Sequence, residues 1–64
     1  MLVLSRRPGE DIVINGGTPD QVIIYIREID GSKVRLGFDA PPHISIHRGE
    51  IHERIMKEGN RRND

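Results

Sequence analysis

Apolar and polar positions change their period several times along these 64 residues, and each change marks the edge of an expected element. Residues 1–7 begin with Met1, Leu2, Val3 and Leu4 and end on Arg6 and Arg7. As a strand they place Leu2, Leu4 and Arg6 on one face and Val3, Ser5 and Arg7 on the other. Pro8-Gly9 punctuates that run, and residues 11–15 form a second short strand. Gly16, Gly17, Thr18, Pro19 and Asp20 read as a turn or loop, glycine being free to take positive φ and proline stopping strand pairing. Residues 21–29 hold the longest apolar run, with Val22, Ile23, Ile24, Tyr25, Ile26 and Ile29. Its β-branched content predicts a strand, and its lack of clean alternation predicts burial on both faces. Asp30-Gly31 is the strongest hairpin signal of the chain. It leads into a strand at 33–38 in which Val34, Leu36 and Phe38 face one way and Lys33 and Arg35 the other.

The rest is organised around 39–51. Pro41 and Pro42 fix φ and remove two backbone donors, so a fifth strand is expected only beyond them, at 43–47, where His43, Ser45 and His47 alternate with Ile44 and Ile46. Helical signals take over at 48–58 with no loop between. Ile51 and Ile55 stack at i, i+4 with Met56 beside them, and Glu50 and Lys57 suit the two ends of the helix dipole. Glu50–Arg54 and Glu53–Lys57 are spaced for ion pairs, Gly59 is placed to cap the end, and the polar tail 59–64 reads as disordered. The abrupt passage from strand to helix leaves His47 and Arg48 fixed by backbone on both sides yet open to solvent. That position suits binding residues, and it equally suits ordinary polar residues at an element boundary.

Size adds a constraint. A chain of 64 residues is one domain, close to the limit at which a single core outweighs chain entropy. There is no cysteine, which rules out disulfides and thiolate metal sites and favours an intracellular protein. Five short strands and a three-turn helix leave two sheet edges open and too little core. A symmetric dimer that shares strands would remedy both. The formal net charge of zero gives no global field to attract nucleic acid or anionic membrane, so any nucleic-acid site must be local. The apolar run at the start is too short for a signal peptide or a membrane span, and a soluble cytoplasmic protein is expected.

Catalytic chemistry finds no constellation. Ser5, Ser32 and Ser45 have no nucleophile-elbow context, there is no glycine-rich phosphate loop, and Glu10-Asp11 or Glu50 with Glu53 read as solvated faces. Of three histidines, His43 and His47 on one strand face would stand roughly 13 Å apart, too far for one ion, so neither a metal nor a cofactor is expected. Nucleic acid is the open possibility. Tyr25 and Phe38 both sit in apolar runs, so base stacking on an aromatic sheet is not the mode, and recognition would rest on arginine, backbone groups and aliphatic side chains. The other reading of Arg6-Arg7 is solvated charge at a strand end.

Three stretches, in order and at compatible spacing, resemble the carbon storage regulator family (CsrA, RsmA and RsmE). They are Met-Leu-Val-Leu-Ser-Arg-Arg-Pro-Gly-Glu at 1–10, Val-Arg-Leu-Gly-Phe-Asp-Ala-Pro at 34–41 and Ile-Ser-Ile-His-Arg-Gly-Glu-Ile at 44–51. The resemblance implies one RNA-binding domain over 1–58 of a bacterial post-transcriptional regulator that is not an enzyme. Its mainly β fold would be five short strands and a C-terminal helix, interleaved in a homodimer with a sandwich- or barrel-like core. The first strand of one chain would lie beside the fifth of the other, making two RNA sites. Each site would use Leu4, Ser5, Arg6 and Arg7 of one chain with Ala40, Pro41, Ile44, Ile46, His47 and Arg48 of the other. The implied ligands are GGA motifs in mRNA leader hairpins near ribosome-binding sites, with sequestering small RNAs and, for some members, a flagellar assembly protein as antagonists. The alternative is a small β-rich protein-interaction module without RNA specificity. The chain departs from the family pattern in a longer loop at 15–20, in Gly49 where an acidic residue is usual, in His52 where an aromatic is common, and in Pro42 at a usually charged position.

Overall fold

The computed structural model describes residues 1–62, and its elements are β1 (Asp11–Ile14), β2 (Val22–Asp30), β3 (Lys33–Asp39) and α1 (Gly49–Arg62). The strands form one antiparallel sheet in the order β1-β2-β3. Pairing of Ile12 with Ile24 and Ile14 with Val22, and of Ile24 with Phe38 and Ile26 with Leu36, gathers these side chains on one face. Val22 and Ile26 are the buried hydrophobic residues, so the core lies along the middle strand.

The irregular apolar run at 21–29 has a different cause from the one expected. Pairing passes from Ile26 opposite Leu36 to Glu28 opposite Arg35, so Arg27 is an extra residue on β2. A bulge shifts alternation by one. Ile29, opposite Val34, thereby returns to the face of Val22, Ile24 and Ile26. The opposite face carries Tyr25, which is exposed, and a glycine across from it. A side chain at Gly37 would sit 3.6 Å from the stem of Arg27 and 3.7 Å from the Cβ of Tyr25. The run therefore has a main apolar face of Val22, Ile24, Ile26 and Ile29 interrupted by a bulge, while on the other face Ile23 is half-buried and Tyr25 exposed, so full burial on both faces is not seen in the single chain.

Other boundaries follow from backbone chemistry. β1 ends at Ile14 because Asn15 takes φ of 53°, outside the β region. The hairpin falls where expected, but Asp30 and Lys33 pair as its closing residues, so the two-residue turn is Gly31-Ser32. Gly31, with φ of 58°, occupies the first central position, where a type II′ turn demands glycine. The segments 1–7 and 43–47 join no ladder in the single chain. A strand needs a neighbour to donate to, and the sheet supplies none for them. In the single chain His43 lies in a turn, closed by Ile44 N–H donating to the Pro41 carbonyl over 3.0 Å. The helix continues past Gly59, which therefore does not cap it. The disorder expected at 59–64 falls in part on Asn63 and Asp64, outside the described residues.

A folded monomer of 7.3 kDa should expose about 4,200 Å². This chain exposes 5879 Å², with Leu2, Val3, Val34, Leu36 and Phe38 among its exposed apolar residues. Among the described residues, no helix is long and apolar enough to cross a membrane.

Candidate nucleic-acid interface

The expected site residues fall into three groups. The first is the segment before β1. Arg7-Pro8-Gly9-Glu10 forms a tight turn in which Glu10 N–H donates to the Arg7 carbonyl (3.0 Å) and Gly9 takes φ of 88°, a conformation open to glycine. The turn is pinned to β2 by Gly9 N–H donating to the Ile26 carbonyl (2.7 Å) and Ile26 N–H donating to the Glu10 carbonyl (2.9 Å). Glu10 then reaches back: its carboxylate accepts from the Arg7 backbone N–H at 2.6 Å and pairs with the Arg6 guanidinium at 2.7 Å. The Arg7 N–H, and then the Arg6 side chain, hold the Glu10 carboxyl below its ordinary range. Arg6 also donates to the Asp11 carbonyl at 3.4 Å. One exposed carboxylate thus fixes the direction in which Leu4, Ser5, Arg6 and Arg7 leave the sheet.

The second group is the turn after β3. Ala40, Pro41 and Ile44 lie on it, closed by the Ile44-to-Pro41 hydrogen bond. His43, at its tip, places Nε2 2.7 Å from Oδ1 of Asp20 in the loop between β1 and β2. The third group is the passage into the helix. The Arg48 carbonyl accepts from Ile51 N–H (3.0 Å) and His52 N–H (2.9 Å), so Arg48 is the residue from which α1 starts, as the switch in period predicted. Its guanidinium pairs with Glu50 in the first helical turn, which takes up the carboxylate expected to face Arg54. Ile46, His47 and Arg48 line one shallow groove with Val34, Leu36 and Phe38 of β3. A second hollow, between Ser45, His47, His52, Ile55 and Met56, continues from His47 onto the helix.

Among the described residues, no hydrogen bond or ion pair joins the group at Leu4–Arg7 to the groups at 40–48. Three contributors escaped sequence reasoning. Glu10 had a signal, four residues after Arg6 and just beyond Pro8-Gly9, yet it was read as a solvated carboxylate. Asp20 with His43, 23 residues apart, lies just beyond the last β2–β3 pair, Ile23 opposite Asp39, so the hairpin carried a signal that was not followed out to this contact. The apolar face of β3 was legible as Val34, Leu36 and Phe38, but not its place beside Ile46 and Arg48.

Arginines on a turn and at a helix start stand beside aliphatic side chains and backbone outside any ladder, on a small single-sheet fold. Among the described residues, no group of three or more histidine and carboxylate side chains is close enough to hold a metal ion. The family follows from comparison. The CsrA family, described as global regulator proteins, matches residues 1–57, and the chain belongs to it. A protein of Bacillus velezensis named translational regulator CsrA is 48% identical over 61 residues, covering 95% of this chain and 77% of that one. Proteins of the same name from Pseudothermotoga lettingae (43% identical over 58 residues, 91% of this chain, 71% of that one) and Rhodopirellula baltica (46% over 57 residues, 89% and 76%) are similar as well.

Proposed function

We propose that this chain is a translational regulator that binds mRNA leaders as a homodimer, reading GGA motifs in hairpin loops near ribosome-binding sites and repressing translation or altering message stability. The observation that carries this reading is the family match over 1–57, which spans both the Arg6-Arg7 segment and the 40–48 segment. The geometry supports it. Both segments are exposed and outside any ladder, so strand 1–7 of one chain is free to lie beside 43–47 of the other. That pairing would set Leu4, Ser5, Arg6 and Arg7 against Ala40, Pro41, Ile44, Ile46, His47 and Arg48. Unpaired bases splayed from a loop can be read on their edges by such backbone and arginine groups. Arg48 would exchange its exposed contact with Glu50, which contributes little, for a phosphate or a base. The protein would act in the cytoplasm, with small RNAs carrying repeated GGA sites, and in some settings a flagellar assembly protein, as its antagonists.

The test is fluorescence anisotropy on a hairpin with GGA in its loop and on the same hairpin with the loop scrambled, at fixed salt because phosphate contacts are salt-dependent. Wild type should prefer the GGA hairpin. Arg48→Ala should lose about ten- to a hundredfold, the range for removing a charged hydrogen-bond donor. Equal, weak binding to both hairpins would sink the proposal and point to a protein-interaction module instead.

A further inference from the structure

The loop at 15–20 is a built unit. Asn15 starts it in a left-handed conformation, and the Asn15 carbonyl accepts from both Thr18 N–H (3.2 Å) and Thr18 Oγ1 (2.7 Å). Thr18 Oγ1 in turn accepts from Asp20 N–H (3.2 Å), and the Thr18 carbonyl accepts from Gln21 N–H (3.2 Å). Gln21 closes the far side by accepting from Gly17 N–H at 2.8 Å. A loop secured at this many points is a poor flexible spacer and a good strut. What it presents is the Asp20 carboxylate, and that carboxylate meets His43 at 2.7 Å on the turn carrying Ala40, Pro41 and Ile44. The contact joins two irregular segments at one end of the sheet, just beyond the last β2–β3 pair, Ile23 opposite Asp39.

We infer that Asp20 and His43 are positioning residues for the RNA interface: the loop braces the 40–44 turn through this pair and holds its backbone where the RNA meets it. The inference rests on the RNA-binding reading and adds a role for residues outside the proposed contact set. Its sign is informative. Removing a carboxylate near an RNA surface should strengthen binding if only the long-range field mattered. A brace predicts the reverse, because a neutral amide holds the His43 ring more weakly than a carboxylate does.

The experiment measures GGA-hairpin affinity by anisotropy for wild type, Asp20→Asn, His43→Ala, the double variant and the exchanged pair Asp20→His with His43→Asp. Both side chains are more than half exposed, so the variants should keep the wild-type thermal midpoint and oligomeric mass, and both are checked. Each single variant should bind two- to fivefold more weakly, the range open to one exposed pair. The double variant should be no worse than the weaker single one, and the exchanged pair should recover at least half of the loss. Tighter or unchanged binding by Asp20→Asn overturns the inference. So does a loss confined to His43→Ala, which would make His43 a direct RNA contact. If all variants keep wild-type GGA preference and affinity, the brace fails and the RNA reading stands. If wild type shows no GGA preference, both fall, and the His43 ring resonances of Asp20→Asn report whether the contact itself forms in solution.

Discussion

At the scale of single residues, the sequence showed which side chains could bind but not what holds them. Arg6 and Arg7 were recognisable as a basic pair, whereas their orientation depends on Glu10, whose carboxylate takes the Arg7 N–H and the Arg6 guanidinium together. That arrangement predicts a pH dependence with a definite sign. Glu10 titrates lower in the folded chain than an ordinary glutamate, so its contribution is fully present above the ordinary glutamate range and is lost as pH falls through the lowered folded value. Followed by NMR, the Arg7 amide should shift with an acid midpoint below that of a free glutamate. In Glu10→Gln that transition should vanish, and the Arg7 amide should exchange faster with solvent at neutral pH. An Arg7 amide that titrates identically in both proteins would rule the clamp out.

At the scale of elements, local chemistry was legible wherever one residue decides the backbone, and opaque wherever pairing does. The hairpin could be read because few residues besides glycine suit its turn, and the helix start because the period changes at Arg48. The bulge at Arg27 could not, since two-against-one pairing is a property of both strands, and Ile29 looked like a break in alternation until Val34 was seen opposite it. Two glycines with opposite roles give a test of this distinction. Gly31 needs its positive φ and has open space around a would-be Cβ, so Gly31→Ala should cost about 1–2 kcal/mol from backbone strain alone. Gly49 has equal space and no such φ at the first position of α1, so Gly49→Ala should stabilise by about 0.5 kcal/mol through lower chain entropy. Chemical denaturation of the two variants at one protein concentration checks both signs.

At the scale of the whole molecule, one chain leaves much apolar surface open, as its short length led one to expect. With Val22 and Ile26 as the buried hydrophobic residues and Leu2, Val3, Leu36 and Phe38 open to water, one copy buries little of its apolar surface, and a second copy is expected to cover the rest. The edge of β3 and the unpaired segment 1–7 are the natural places for a second copy to add strands. If folding and association are one event, stability must depend on concentration. Unfolding enthalpies of about 0.7 kcal/mol per residue, summed over two chains, make each tenfold dilution lower the thermal midpoint by about 5 °C. Sedimentation should give the mass of two chains, and Leu36→Asp, which puts a charge on the exposed apolar face of β3, should both unfold the protein and reduce it to single chains. A midpoint that does not move over a hundredfold dilution, together with the mass of one chain, would mean that the sheet is stable alone and that residues 1–7 and 43–47 have no strand partner to find. In that case Arg6 and Arg48 would have no shared interface on which to read RNA.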